Sequence, residues 1–263
     1  RGKRIAVVKV GKSETARRMV TAHTGALAGE DALYQAFFDR EGIIRVPDLD
    51  TLVETGSLLS TGMAAPTLPT VTLVTVSGGE GALAADIASD CGVALPELSE
   101  KTIERIKPYY PPFSTPRNPI DAYGFGWNPD HFEAIIQALA DETGVGTLVL
   151  HTDSATLGTP DDGMVLEMAH MCERLLTRTE KRIVYINNTA TVGINAEARE
   201  AFRRAGIPAL LGLAEGLRSV GEWARLGTPT HLPNANAEPD RLLENHLATP
   251  LLEVDRLSLL RER

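Results

Sequence analysis

The sequence predicts an α/β fold of open parallel sheets with helices on both faces. Three observations lead there. Short β-branched runs alternate along the chain with segments of helical spacing. Glycine and proline, 23 and 16 of the 263 residues, punctuate these segments. The runs, such as Val71 to Val76, are continuously apolar rather than alternating, as strands covered on both faces are.

In chain order, Ile5 to Val10 reads as the first strand, ending at Gly11. Lys12 to Val20 is polar, with Arg17 and Arg18 read as a solvated face, and it leads into a loop around His23. Glu30 to Glu41 has helical spacing that points Leu33 and Phe37 to the core, and Gly42 ends it. Ile43 to Val46 is a second strand, and Asp48 can cap a helix carrying Leu49, Leu52, Val53 and Leu59. Two strands cannot bury both faces of a parallel sheet, so residues 1–62 read as the C-terminal part of a domain whose remainder is not in this sequence.

Residues 63–69, with two prolines and no periodicity, read as a linker, and 70–227 as a second α/β domain. There, Val71 to Val76 is a strand, Ser77 to Gly81 a turn, and the following helix carries Leu83, Ala84, Ile87, Ala88 and Cys91 on one side. Ser99 caps a short helix with Ile103 and Ile106. Tyr109 to Pro119 is too proline-rich to be anything but loop. Asn128 caps a helix that starts at Pro129, with Phe132, Ile135, Ile136 and Leu139 inward. Thr147 to Leu150 is a strand, and Met164 to Leu176 a long helix whose methionines read as core filler. The strand Arg182 to Ile186, helix Ala196 to Ala205, strand Ala209 to Leu211 and helix Glu215 to Leu226 complete the series. Right-handed crossovers then gather Ser77 to Gly81, His151 to Ser154 and Asn187 to Thr191 on one rim. Residues 228–263 read as a linker followed by a helical pattern without a core of its own.

Composition excludes several classes. A net charge of −9, from 26 basic and 35 acidic residues, argues against nucleic acid as a partner. Two cysteines, far apart in apolar helical patterns, give no disulfide framework and fit a reducing cytoplasm. No run is long and apolar enough to span a membrane, and the dispersed histidines have no metal-ligand spacing. GxxxxGK[ST] and GxGxxG phosphate loops are absent, and Ser77 is not in a GxSxG elbow.

Two stretches carry chemistry. Ala22 to Asp31 sets His23 and Thr24 beside Gly25 and Gly29 before a helical pattern. Imidazole is a nucleophile near neutral pH, and a helix amino terminus offers unpaired N–H groups and a positive dipole end to an anion. Ser77, Gly78, Gly79, Glu80 and Gly81 form a second such junction, where the glycines admit a phosphate close to the backbone. Alone, a glycine-rich turn or a lone histidine is commonplace.

The flanks make the pattern specific. Lys9-Val10-Gly11-Lys12-Ser13-Glu14, then His23-Thr24-Gly25-Ala26-Leu27-Ala28-Gly29 with Asp31, then Gly42-Ile43-Ile44-Arg45-Val46, resemble the phosphohistidine segment of the NDP-forming acyl-CoA synthetases, relatives of succinyl-CoA synthetase. Ser77-Gly78-Gly79-Glu80-Gly81 and Asn118-Pro119-Ile120-Asp121 resemble two further motifs in the same order, and the likeness runs from about Lys3 to about Leu226. The resemblance implies flavodoxin-like succinyl-CoA synthetase domains, His23 as the transiently phosphorylated residue, and phosphate contacts from Thr24, Gly25, Ser77, Gly78, Gly79 and Gly81. Asn118 and Asp121 either line the acyl pocket or shape the proline-rich loop. Many relatives have proline where this chain has Glu80, whose carboxylate must face away from a phosphate or alter the site.

The implied reaction joins a carboxylic acid to coenzyme A with ATP, through phosphohistidine and acyl phosphate, with Mg2+ accompanying ATP or ADP. The implied partners are the acid, coenzyme A, ATP/ADP, phosphate and the remaining domains of the same protein, and self-association is compatible with them. The family's coenzyme A-binding domain would precede Arg1 and its nucleotide-binding ATP-grasp would follow Arg263, so the expectation is a fragment inactive by itself. The alternative is a ligand-sensing synthetase-like module of a protein acetyltransferase or another anion-binding regulatory domain, which loss of the histidine would favour; His23 is retained.

Overall fold

The structure, a computed structural model, describes residues 3–24, 30–154 and 162–227, all within one compact unit. The predicted tail, 228–263, lies outside the described residues.

In the first part β1 (Ala6–Val8) pairs in parallel with β2 (Ile44–Val46), Ala6 opposite Ile44. Between them lie α1 (Glu14–Thr24) and α2 (Asp31–Glu41). α2 ends at Gly42, whose φ of 64° closes the helix in the left-handed region. α1 corrects the expected polar lead-in and loop: His23 stands in the last turn of a helix. This helix has no buried face among its described side chains, so hydrophobic periodicity could not reveal it; Ser13 accepts from Ala16 N, and Glu14 pairs with Arg18 one turn on. A second correction concerns α2, where Phe38 is the buried residue while Leu33 and Phe37 are 36% and 45% exposed. Two strands offer a helix only a narrow apolar strip, and beside it Arg45 on β2 reaches across to both oxygens of Asp31 and to Gln35. α3 (Leu49–Ser60) follows, its first turn closed by Asp48 accepting from Thr51 N at 2.7 Å.

The second part is a five-stranded parallel sheet in the order β4-β3-β5-β6-β7. β3 (Val71–Thr75) leads into α4 (Gly78–Asp90), α5 (Glu100–Ile106) and a proline-rich loop ending in β4 (Ile120–Asp121). α6 (Pro129–Ala140) connects to β5 (Thr147–Thr152), α7 (Asp162–Leu176) to β6 (Arg182–Asn187), α8 (Ala196–Arg204) to β7 (Ala209–Leu211), and α9 (Leu213–Arg225) closes the series. β4 was not expected: it is two residues long and hidden behind prolines. Leu83 on α4, expected in the core, is 54% exposed, and Ala84 and Ala88 bring that helix close to the sheet instead.

One face of the sheet buries Phe132, Ile136, Leu139, Met168, Cys172 and Phe202 from α6, α7 and α8. The other buries Ala84 and Ala88 from α4 and Leu217, Val220 and Trp223 from α9, together with Leu58 from α3. The first part of the chain is therefore fastened to the second by shared core. No helix among the described residues is long and apolar enough to cross a membrane.

Candidate functional site: a glycine turn at the switch point

Counted from its own first strand, the larger sheet has the order 2-1-3-4-5. The chain runs outward from β3 to β4 on one side and from β5 on the other, so a crevice must open between the C-terminal ends of β3 and β5. Ser77 to Gly81 lies there. Ser77 is the N-cap of α4, its hydroxyl accepting from Glu80 N at 3.4 Å and its carbonyl accepting from Gly81 N at 2.9 Å. Among the described residues the amides of Gly78 and Gly79 have no partner, and both residues are exposed. Gly81 is buried, and a Cβ on it would lie in van der Waals contact with Thr75 Cγ2 at 3.4 Å and Pro119 Cβ at 3.6 Å, so α4 packs closely on the strand end here.

A cavity of about 590 Å³ opens beside Ser77. Its walls include Val76, Tyr123, Trp127 and Met164, and the carboxylates of Glu80, Asp153 and Glu167. Each carboxylate is held by one oxygen: Glu80 Oε2 accepts from the Thr75 hydroxyl at 2.7 Å, Asp153 Oδ1 from Thr189 N and Oγ1 at 3.0 and 2.9 Å, and Glu167 Oε2 from Trp127 Nε1 at 3.0 Å. Glu80 is thus folded back on the end of β3. No lysine or arginine is among the described lining residues. An anion here would rest on backbone amides and the α4 dipole rather than on cationic side chains.

Asp121 also reaches this turn, since a Cβ on Gly78 would lie 3.2 Å from its Oδ2, while its Oδ1 accepts from Tyr123 N. Asn118 is employed as scaffold: it accepts from Leu73 N at 3.0 Å and donates to the carbonyls of Val71 and Pro96, lacing the proline-rich loop to β3. His23 is exposed and is not among the residues lining the cavity. Gly25 and the Thr24 side chain lie outside the described residues.

The expected rim forms where it can be seen. Asp153 bonds Thr189, and Asn187 Oδ1 accepts from Ser154 N at 2.7 Å. His151, on that rim by sequence, is buried at 1% exposure, its Nδ1 3.0 Å from Asn188 Oδ1 and its Nε2 without a partner. Burial holds its pKa down to about 4, so it is a neutral imidazole inside the sheet. The aromatic walls, Tyr123 and Trp127, were not anticipated, because they lie in an aperiodic loop about fifty residues from the turn they flank.

A flavodoxin-order parallel sheet with a capped glycine turn at its switch point defines a flavodoxin-like α/β domain. Comparison with known proteins agrees. Residues 1–59 match the succinyl-CoA ligase like flavodoxin domain and residues 71–215 the Ligase-CoA domain, and the chain belongs to the ADP-forming acyl-CoA synthetase family. Over 124 residues it is 38% identical to the ADP-forming acetate–CoA ligase of Methanocaldococcus jannaschii, a match covering 46% of this chain and 17% of that protein. Over 232 residues it is 27% identical to a trans-feruloyl-CoA synthase from an unknown prokaryotic organism, covering 86% of this chain and 31% of the relative. The chain thus spans less than a third of either relative. Its fold is similar to an acetyl-coenzyme A synthetase of Ca. Korarchaeum cryptofilum, solved both free and with phosphate and ADP, at a TM-score of 0.65 and 23% identity over 85% of this chain and 47% of that one.

Proposed function

We propose that the chain is the phosphohistidine and phosphate-cradle portion of an ADP-forming acid–CoA ligase. Residues 1–62 supply the carrier histidine, 63–69 a linker, 70–227 the cradle, and 228–263 the lead into a nucleotide-binding region. The observation that carries this reading is the pair of unpartnered amides, Gly78 and Gly79, in the exposed first turn of α4 at the switch point, next to Ser77, which lines the crevice. A developing or resting phosphoryl charge needs fixed donors, and a helix amino terminus supplies them without reorganisation.

In this reading a ring nitrogen of His23 takes the γ-phosphoryl of ATP and ADP departs. A carboxylate oxygen of the acid then attacks phosphorus, the N–P bond breaks, and imidazole is regenerated with formation of an acyl phosphate. The thiolate of coenzyme A attacks the acyl carbon, and inorganic phosphate leaves with the electrons of the C–O bond. Thr24 and Gly25 contact the phosphoimidazole. Mg2+ accompanies the nucleotide; no cluster of three or more metal-ligating side chains occurs among the described residues. The solvent exposure of His23 supports a carrier role, since a shuttled phosphoryl group has to be reached from outside.

Incubating the full-length protein with ATP and Mg2+ tests this. The expected result is an acid-labile phosphoryl group mapped to His23 by mass spectrometry and discharged on adding acid and coenzyme A. A folded wild-type protein that forms ADP and thioester without phosphorylating His23 would refute the assignment.

A further inference from the structure

His23 stands in the last turn of α1, a helix none of whose described side chains is buried. Packing gives it little support, so its position depends on how the chain is tied on either side. On one side is Gly11, buried, with φ at 90°. On the other is Asp31, the residue that opens α2. The buried side chain of α2, Phe38, lies about two turns further along, so the core leaves the first turn unsupported. Arg45 supplies the tie. It stands in the middle of β2, paired with Val7 of β1. Its Nη2 donates to Asp31 Oδ1 at 2.5 Å, and its Nη1 to Asp31 Oδ2 and to Gln35 Oε1, each at 3.1 Å. Gln35 Nε2 donates onward to Asp39 Oδ1 at 2.8 Å. The Arg45 and Asp31 side chains are 15% and 24% exposed, where those of the Arg18–Glu14 pair on α1 are 73% and 76% exposed. A planar guanidinium bonded to both carboxylate oxygens fixes direction as well as distance, so this bridge is a joint between sheet and helix. It is closed at neutral pH: Arg45, with smaller help from Lys12 and Lys9, holds the Asp31 carboxyl below its ordinary 3.8 against the opposing effect of burial.

We propose that Arg45 and Asp31 are a positioning pair for the phosphoryl carrier: they fix the start of α2, and through it the far end of the segment that presents His23. The inference rests on the ligase reading above. The role is geometric and acts through the chain between Asp31 and His23. A carrier imidazole has to meet its donor and its acceptor at a defined distance and angle, and a misplacement of about 1 Å can cost on the order of 100-fold in rate. An exposed helix cannot supply that accuracy by itself. A joint anchored on β2 can, and Gln35 steadies the guanidinium from one turn further along α2.

The test measures single-turnover phosphorylation of His23 in the full-length protein with ATP and Mg2+. Beside it runs a reaction that bypasses the histidine: thioester formation from coenzyme A and the synthetic acyl phosphate of the acid that the wild type uses best. Arg45→Met is expected to slow His23 phosphorylation about tenfold or more, while the KM for ATP and the bypass rate stay within about twofold. Arg45→Lys, which keeps the charge and loses the fork, should fall between. Asp31→Asn should match Arg45→Met, and the double variant should be no slower than either, since both break the same joint. Arg40→Met, which removes a cation from the exposed far end of α2, should phosphorylate at the wild-type rate. Wild-type phosphorylation in Arg45→Met, or an equal fall in the bypass reaction, overturns the proposal and leaves the ligase reading standing. Should Arg45→Met fail to fold, Asp31→Asn, which keeps the shape of the side chain, decides between the same outcomes. If the wild type itself forms no phosphohistidine from ATP, the ligase reading falls and takes this one with it.

Discussion

Thr55 of α3 and Ser219 of α9 share a buried hydrogen bond, hydroxyl to hydroxyl at 2.9 Å, across 164 positions of sequence. One helix lies in the part that bears His23, and the other closes the sheet that bears Ser77. Beside this bond Glu54 Oε2 accepts from Leu211 N at 2.9 Å, so a carboxylate of the first part satisfies the edge strand of the second.

Glu54 is therefore expected to matter for stability rather than chemistry. Glu54→Ala leaves the part-buried Leu211 amide without its acceptor and should cost about 1 kcal/mol in urea unfolding. Glu54→Gln keeps an acceptor and should cost less. Burial raises the Glu54 pKa above its ordinary 4.5, against the pull of the Leu211 amide and of Arg199. The native state then binds more protons than the unfolded chain, so this group's contribution declines as pH rises from 4.5 through the raised value. That decline should vanish in Glu54→Gln.

His151 is expected to act in the opposite direction. Its native pKa of about 4 lies below the unfolded 6.5, so the unfolded chain binds the extra proton between those values and stability falls as pH drops from 6.5 toward 4. The loss should be on the order of 2 to 3 kcal/mol across that window. His151→Gln should flatten the slope, and a variant with an unchanged acid limb would show that another group governs it.

Gly216 is where α9 presses closest to the sheet. A Cβ there would stand 2.8 and 2.9 Å from Ile186 Cγ2 and Cδ1. Gly216→Ala should cost about 1 to 3 kcal/mol by overpacking, lowering Tm by about 2 to 4 °C per kcal/mol. Gly193→Ala, with nothing within 4 Å of the new methyl, is the control.

The cradle gives a fourth expectation. Ser77→Ala removes the N-cap and should cost about 0.5 to 2 kcal/mol. Glu80→Gln keeps an acceptor for Thr75 but removes a negative charge from the first turn of α4. Phosphate binding to the full-length protein, followed by calorimetry, should tighten severalfold; weaker binding would mean that the Glu80 carboxylate supports the site.

Much of this was legible beforehand, for physical reasons that differ by element. From Val71 onward strands and helices alternate with clear apolar periods, and caps such as Asp48, Ser99 and Asn128 mark helix starts. The turn at Ser77 follows from its place after a buried strand. α1 has no apolar stripe to announce it, and the core beside α2 is too narrow to hold Leu33 and Phe37. The cavity walls are silent in the sequence for another reason. Tyr123, Trp127 and Met164 meet only because β4 returns beside β3 while β5 departs on its other side, a fact of topology that no local spacing encodes.

The open setting of α1, none of whose described side chains is buried, separates two pressures that usually fall on the same residues. Alterations along that helix should leave the melting curve where it was, because little apolar surface is at stake. Any defect they produce would surface in turnover alone, and a scan of Arg17 to His23 would read catalytic need without the confusion of misfolding.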